Sequence, residues 1–315
     1  MKKAICAIVI ALTGCQSTNI QPPVTPFETN ASYAYNVANQ TALTKEKSKL
    51  RDFTKSEVEE LKKVNLVGGN AGSASKFFGT LSLITGDFLS AAVNLTGGIA
   101  ADMSMGKHIS SYTRFIVAEN AKESQQSTEI NNNIRNAIGN VLNEYGNYQI
   151  KTIQFKDEKQ DFIVGGKCSD PTIYADKLKS ELDVFVQANE YSPDAVWCRT
   201  GGFLSPRLKV SFYNYETNLV KPRTITSNYG FDKNYAPYGQ LNYIGILTAL
   251  GQEITPSNYN KFLRELSSKL PNGYFIYKTN FQTQRSITDG RYYTLQDFIP
   301  AIFHNGKQFD FIQGN

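Results

Sequence analysis

The side chains able to do chemistry are few. The 315-residue chain has four cysteines, Cys6, Cys15, Cys168 and Cys198, and two histidines, His108 and His304. A Ser-His-Asp or Cys-His site would have to use one of those two imidazoles. His304 stands beside Asn305-Gly306 after an apolar run, where a turn is expected instead. A zinc site wants four ligands at tight spacings, and the cysteines and histidines are scattered. Asp157 and Glu158 are adjacent carboxylates in a Lys-rich polar stretch, which reads as a solvated turn. The sequence contains no G-x-x-x-x-G-K-[ST], G-x-G-x-x-G, G-x-S-x-G or H-E-x-x-H. No catalytic residue, metal ligand or cofactor is therefore assigned, and a non-enzymatic role is expected.

Only the start of the chain carries a specific motif. Lys2 and Lys3 precede an apolar run from Ala4 to Leu12, the pattern of a secretory signal and too short to span a bilayer. The run ends in Leu12-Thr13-Gly14-Cys15, which resembles the lipobox of bacterial lipoproteins at all four positions. That resemblance implies removal of residues 1–14, acylation of Cys15 and, with Gln16 rather than Asp next, passage to the outer membrane. Burial of acyl chains contributes about 0.8 kcal/mol per CH₂, so a multiply acylated Cys15 would stay on the membrane. Cys6 would then leave with the signal and Cys15 would be consumed by lipid. Cys168 and Cys198 remain, and in an oxidising compartment a disulfide is the expected pairing, with buried thiols or a metal site as the alternatives.

Lys2 and Lys3 aside, 31 basic residues face 28 acidic ones, too weak a field for a nucleic-acid protein. Apolar residues make up 41% and charged residues 19%, enough to bury a core and too few charges for disorder.

The elements that must position these groups follow from periodicity and punctuation. Residues 15–53 are polar, with Pro22, Pro23 and Pro26 near the start, and read as a tether. The basic run from Lys45 to Lys55, which extends past the tether's end, reads as a solvated face. Residues 54–146 read as a helical region. Thr54 and Glu57 form a capping box ahead of Val58, Leu61 and Val64, and Ile130, Ile134, Ile138, Val141 and Leu142 share one face of a helix ending at Gly146. Between them, residues 77–101 hold one charge, Asp87, with Ala92, Thr96 and Ala100 at four-residue spacing. The stretch is expected either as core helices or as a hairpin against lipid or a neighbouring copy. In composition it resembles the surface-exclusion lipoproteins of conjugative plasmids.

Residues 147–315 read as an α+β domain. Alternation at Tyr148, Ile150 and Thr152 and the run Phe162 to Val164 predict strands, and Asp170-Pro171 opens a helix between the two cysteines. Strands are expected at 208–212 and 224–228, a helix from Pro256, and a pair from Tyr274–Phe281 and Arg291–Thr294. The last 113 residues hold eleven Tyr and ten Phe; Tyr229, Tyr235, Tyr238 and Tyr243 lie among Gly, Asn and Pro. Such loops suit protein interfaces and sugars alike, although tyrosines capping a sheet core account for most of them.

The fold class expected is α+β, a helical N-terminal half followed by a mostly antiparallel sheet domain with helices. The function expected is an accessory or structural subunit of an outer-membrane assembly for secretion, conjugation or pili. Its partners would be outer-membrane lipid through Cys15 and either a homo-oligomer or envelope-complex proteins. A peptidoglycan-acting hydrolase or glycan-binding module is the alternative. Glu123-Ser124 and Ala34-Tyr35-Asn36 match elements of lytic transglycosylases only in reversed order, which favours chance.

Overall fold

The computed structural model describes residues 28–41, 43, 50–66, 112–119, 125–154, 159–174, 193–202, 224–225, 233–297 and 299–314. These residues combine helices with antiparallel sheets, an α+β architecture. Three predicted features lie outside them: segment 77–101, the strand at 208–212 and most of the helix between the cysteines, whose first turn is a 3₁₀ helix at Pro171–Tyr174.

The centre is a six-stranded sheet. In chain order its strands are β1 (Arg114–Glu119), β5 (Thr224–Ile225), β6 (Lys233–Tyr238), β8 (Tyr274–Lys278), β11 (Ala301–His304) and β12 (Lys307–Asp310). Across the sheet they run β12-β11-β8-β1-β6-β5, every pairing antiparallel. A four-stranded sheet holds β2 (Gln149–Gln154), β3 (Lys159–Val164), β4 (Cys198–Gly202) and β7 (Gln240–Leu241) in that order. β9 (Phe281–Arg285) and β10 (Tyr292–Gln296) form a separate hairpin.

Alternation of side chains along the strands sorts the central sheet into two buried faces. Phe115, Val117, Tyr274, Ile276, Ala301 and Phe303 join one core with two helices, α3 (Gln125–Tyr145) and α5 (Pro256–Lys269). Ile130, Ile134, Ile138, Val141 and Leu142 supply the α3 face, as their spacing predicts. α5 begins at Thr255, whose hydroxyl accepts from the Asn258 N–H at 3.3 Å, with Pro256 in the first turn. The other face carries Ile116, Phe275, Tyr277 and Ile302, also buried.

That second face overturns the tether reading for the described residues 28–41, 43 and 50–53. From Glu28 onward the chain folds back as an arm over β11 and β12, with helix α1 (Tyr33–Ala38) capped by the Ser32 hydroxyl. Ala34, Val37, Ala38 and Leu43 are buried. Composition hides this because four apolar side chains among polar neighbours are enough to cover one end of a sheet. The arm is tied internally by Ser32, whose N–H and hydroxyl both donate to Asp52 at 2.6 Å. It then pairs with the chain end through a parallel bridge from Phe53 to Ile312. Helix α2 (Lys55–Leu66) follows with the expected capping box: the Glu57 N–H donates to the Thr54 hydroxyl, and the Thr54 N–H to the Glu57 carboxylate.

Two further expectations are corrected. The region read as helical, 54–146, contains β1, the strand at the middle of the large sheet. Buried on both faces, Phe115, Ile116 and Val117 show no polar alternation to mark them as a strand. The pair expected from Tyr274–Phe281 with Arg291–Thr294 also divides differently. β8 joins the central sheet between β1 and β11, and only the residues from Phe281 onward pair with β10. The chain breaks at Thr279-Asn280, and glutamine side chains then fasten the hairpin to the body. The Thr113 N–H donates to the Gln282 side-chain oxygen at 3.1 Å, and the Gln284 amide donates to the Leu241 carbonyl at 2.9 Å.

Helix α4 (Tyr243–Ala249) lies so close to β4 that a side chain at Gly245 has no room. A Cβ there would sit 2.1 Å from the Arg199 carbonyl oxygen and 2.5 Å from its nitrogen. Backbone cannot step aside as a side-chain end can. Gly245→Ala is expected to destabilise the fold by about 2–3 kcal/mol, read as a lowered midpoint in urea unfolding; an unchanged midpoint would contradict this packing.

Candidate functional site

The Cys168–Cys198 clamp is built by sheet register. β3 ends in a tight turn from Gly165 to Cys168, with the Cys168 N–H donating to the Gly165 carbonyl at 2.9 Å. Cys198 opens β4 directly opposite Ile163 of β3. The two sulfurs therefore meet at bonding distance, 2.17 Å, with the Cα atoms 5.7 Å apart. Both cysteines are buried in the main core. The chain re-enters beside them through a Ser169 N–H bond to the Val196 carbonyl, and the Trp197 N–H donates to the Thr288 hydroxyl on the hairpin turn at 3.1 Å. The pair thus joins the small sheet, the returning loop and the β9–β10 turn.

A second cluster surrounds Lys278 at the end of β8. Its side chain is 4% exposed, and its ammonium lies 2.5 Å from an Asp297 carboxylate oxygen, which also accepts from the Asn260 amide at 3.0 Å. Burial pushes the lysine pKa down, while the Asp297 charge and then the more distant Asp310 hold it up. Elsewhere on α5 the Tyr259 hydroxyl is buried, its ring against Tyr243, and its pKa is pushed upward by desolvation. These groups hold the fold: Lys278 fixes the end of a central strand to the residues that lead into β11.

A third cluster is His304 at the end of β11. Asn305 (φ 49°) and Gly306 (φ 76°) make a two-residue hairpin to β12, the turn that Asn-Gly predicts. The imidazole packs on Phe275, centroids 4.2 Å apart, and its Nδ1 meets the Tyr33 hydroxyl of the arm at 3.0 Å. Burial lowers its pKa. The turn was legible in the sequence; the partnership with Tyr33, 271 residues away, was not.

Cys15, His108, Glu123-Ser124 and Asp157-Glu158 lie outside the described residues. Ala34-Tyr35-Asn36 belong to α1, where the Asn36 amide holds the Glu28 carbonyl. Of the four tyrosines expected in exposed loops, Tyr243 is fully buried and donates to the Tyr293 carbonyl at 2.5 Å, while Tyr235 and Tyr238 lie in β6. Tyr229 lies outside the described residues. Among the described residues, no group of three or more His, Cys, Asp or Glu side chains is placed to hold a metal ion, and no helix is long and apolar enough to cross a membrane.

Searches against protein-family models, curated proteins and solved structures return no match to this chain.

Proposed function

We propose that the chain is an outer-membrane lipoprotein, held by acylated Cys15, whose body is a structural or accessory subunit of an envelope assembly for secretion, conjugation or pili. The observation that carries this reading is Leu12-Thr13-Gly14-Cys15 after a basic start and a nine-residue apolar run. A cysteine pair at bonding distance suits the oxidising compartment to which such a signal leads. The assembly role rests on residues 77–101, a sparsely charged sequence whose small residues at four-residue spacing favour close packing against lipid or a second copy.

The anchor is tested by Cys15→Ala. The variant is expected to lose fatty-acid labelling completely and to move from the membrane fraction to the soluble one. Labelling that persists in the variant would refute the lipobox reading. The assembly role is tested by sizing detergent-extracted protein, which is expected to run as a ring-sized oligomer and to become a folded, disulfide-bonded monomer when 77–101 is deleted. A monomeric wild type, or clearing on a peptidoglycan zymogram that one carboxylate substitution abolishes, would replace this reading with a solitary wall-acting protein.

A further inference from the structure

The arm from Glu28 to Leu43 meets the sheet chiefly through α1, and a hydrogen bond between Tyr33 and His304 ties it to β11. Around that bond the imidazole is half-buried. The Tyr33 ring lies parallel to it at 10°, with centroids 6.4 Å apart, Phe275 covers another side, and Tyr33 itself rests on Phe309 at 4.4 Å. The second ring nitrogen, Nε2, is buried and has no hydrogen-bond partner. One neutral tautomer leaves no orphaned donor: Nδ1–H donates to the Tyr33 hydroxyl oxygen, and Nε2 carries only a lone pair. The imidazolium leaves one: it carries N–H on both nitrogens and a charge, and Nε2 has no acceptor to meet it.

We propose that His304 is the catch of a proton-sensitive latch, which holds the N-terminal arm against β11 and β12 while the imidazole is neutral and lets α1 lift when it is charged. The ionisable groups on the surrounding elements do not offset that charge. Glu28 accepts from Asn39 and Asp52 from Ser32 within the arm; Lys278 is paired with Asp297, Arg264 of α5 donates to Gln308, and Asp310 accepts from Gln308. Lys307, opposite His304 in the hairpin register, adds a like charge. Burial is the sole cause that lowers the imidazole pKa.

The sign follows by linkage. Because the docked imidazole titrates below its ordinary value of about 6.5, docking is complete above that pH and weakens as pH falls through it toward the lower docked value. A six-residue helix has little stability of its own, so protection of the α1 amides measures docking. If the lipid-anchor reading holds, the latch also sets reach. The 12 residues from Gln16 to Phe27 span at most about 40 Å, whereas a lifted arm would free the 37 residues from Gln16 to Asp52, about 120 Å fully extended. The latch itself does not depend on the anchor.

Hydrogen exchange on the full-length protein, from about pH 8 to about pH 5 and corrected for intrinsic rates, tests it. The α1 amides of Asn36 and Asn39, bonded to the Ser32 and Tyr35 carbonyls, are expected to lose protection by up to about tenfold per pH unit below the ordinary histidine value until the docked imidazole itself charges, while β8 amides keep theirs. His304→Asn, which keeps a neutral polar group near Nδ1, is expected to abolish the pH dependence. Tyr33→Phe is expected to lower protection at every pH and keep the dependence. Constant α1 protection in the wild type would overturn the proposal, and so would an undiminished loss in His304→Asn, which would point to the carboxylates Glu28 and Asp52. Should His304→Asn fail to fold, the proton spectrum of the wild type decides, since the chain has only two histidines. A His304 imidazole that titrates at or above the ordinary histidine value would overturn the latch, and one that titrates below it, in step with loss of α1 protection, would sustain it.

Discussion

Asp297→Ala is expected to destabilise the protein by about 3–5 kcal/mol, among the largest effects of any single substitution away from the cysteines. The reason is the partner it leaves behind. Lys278 projects from the last position of β8, a strand with buried neighbours on both sides, and its side chain is 4% exposed. With Asp297 gone, its ammonium must either remain charged with only the more distant Asp310 to offset it or give up its proton at a cost. The reverse change should be milder. Asp297 is 21% exposed and keeps its bond from Asn260, so in Lys278→Met the carboxylate turns to water. The double variant Lys278→Met/Asp297→Ala should recover most of the loss, because two apolar groups need neither desolvation nor pairing. Urea unfolding of the four proteins gives the coupling energy directly. A loss below about 1 kcal/mol for Asp297→Ala would mean that water reaches Lys278.

The second large effect is removal of the clamp. Cys198→Ser is expected to cost roughly 3.5 kcal/mol, the chain-entropy value for a bridge between residues 30 apart, and to abolish the mobility difference between reduced and non-reduced protein. Local geometry sharpens the expectation. Cys198 is fully buried and Cys168 6% exposed, so a reductant should act only after the small sheet opens. The serine hydroxyl would also enter an apolar core that includes Ile163 and Leu247. Cys198→Ala separates the two contributions by removing the bridge without the hydroxyl. Free alkylation of both thiols in native protein purified without reductant would refute the bridge.

Features that depend on a few consecutive residues were legible in advance. The Thr54–Glu57 capping box, the Thr255-Pro256 start of α5 and the Asn305-Gly306 turn each follow from hydrogen bonds or dihedral angles within four residues. The inward face of α3 was equally plain, because a helix with one buried side repeats its apolar residues at a fixed period. β1 and β8 were harder. A strand covered on both faces lacks that alternation, so β1 passed unnoticed within a helical reading and β8 was paired with the wrong partner.

By itself the sequence determined the basic and apolar start that ends in Leu12-Thr13-Gly14-Cys15, the caps and turns, and the periodic faces of the helices. Only the tertiary structure decided which strands are neighbours, that residues 28–41 close over a sheet face, and that Lys278 meets Asp297 and Tyr33 meets His304. The physical reason is distance along the chain. Caps, turns and periodicity are set by interactions within one or two turns of backbone, where residue type and spacing are sufficient. A buried ion pair 19 residues apart and a hydrogen bond 271 residues apart exist because burying both faces of the central sheet brings those side chains out of water together.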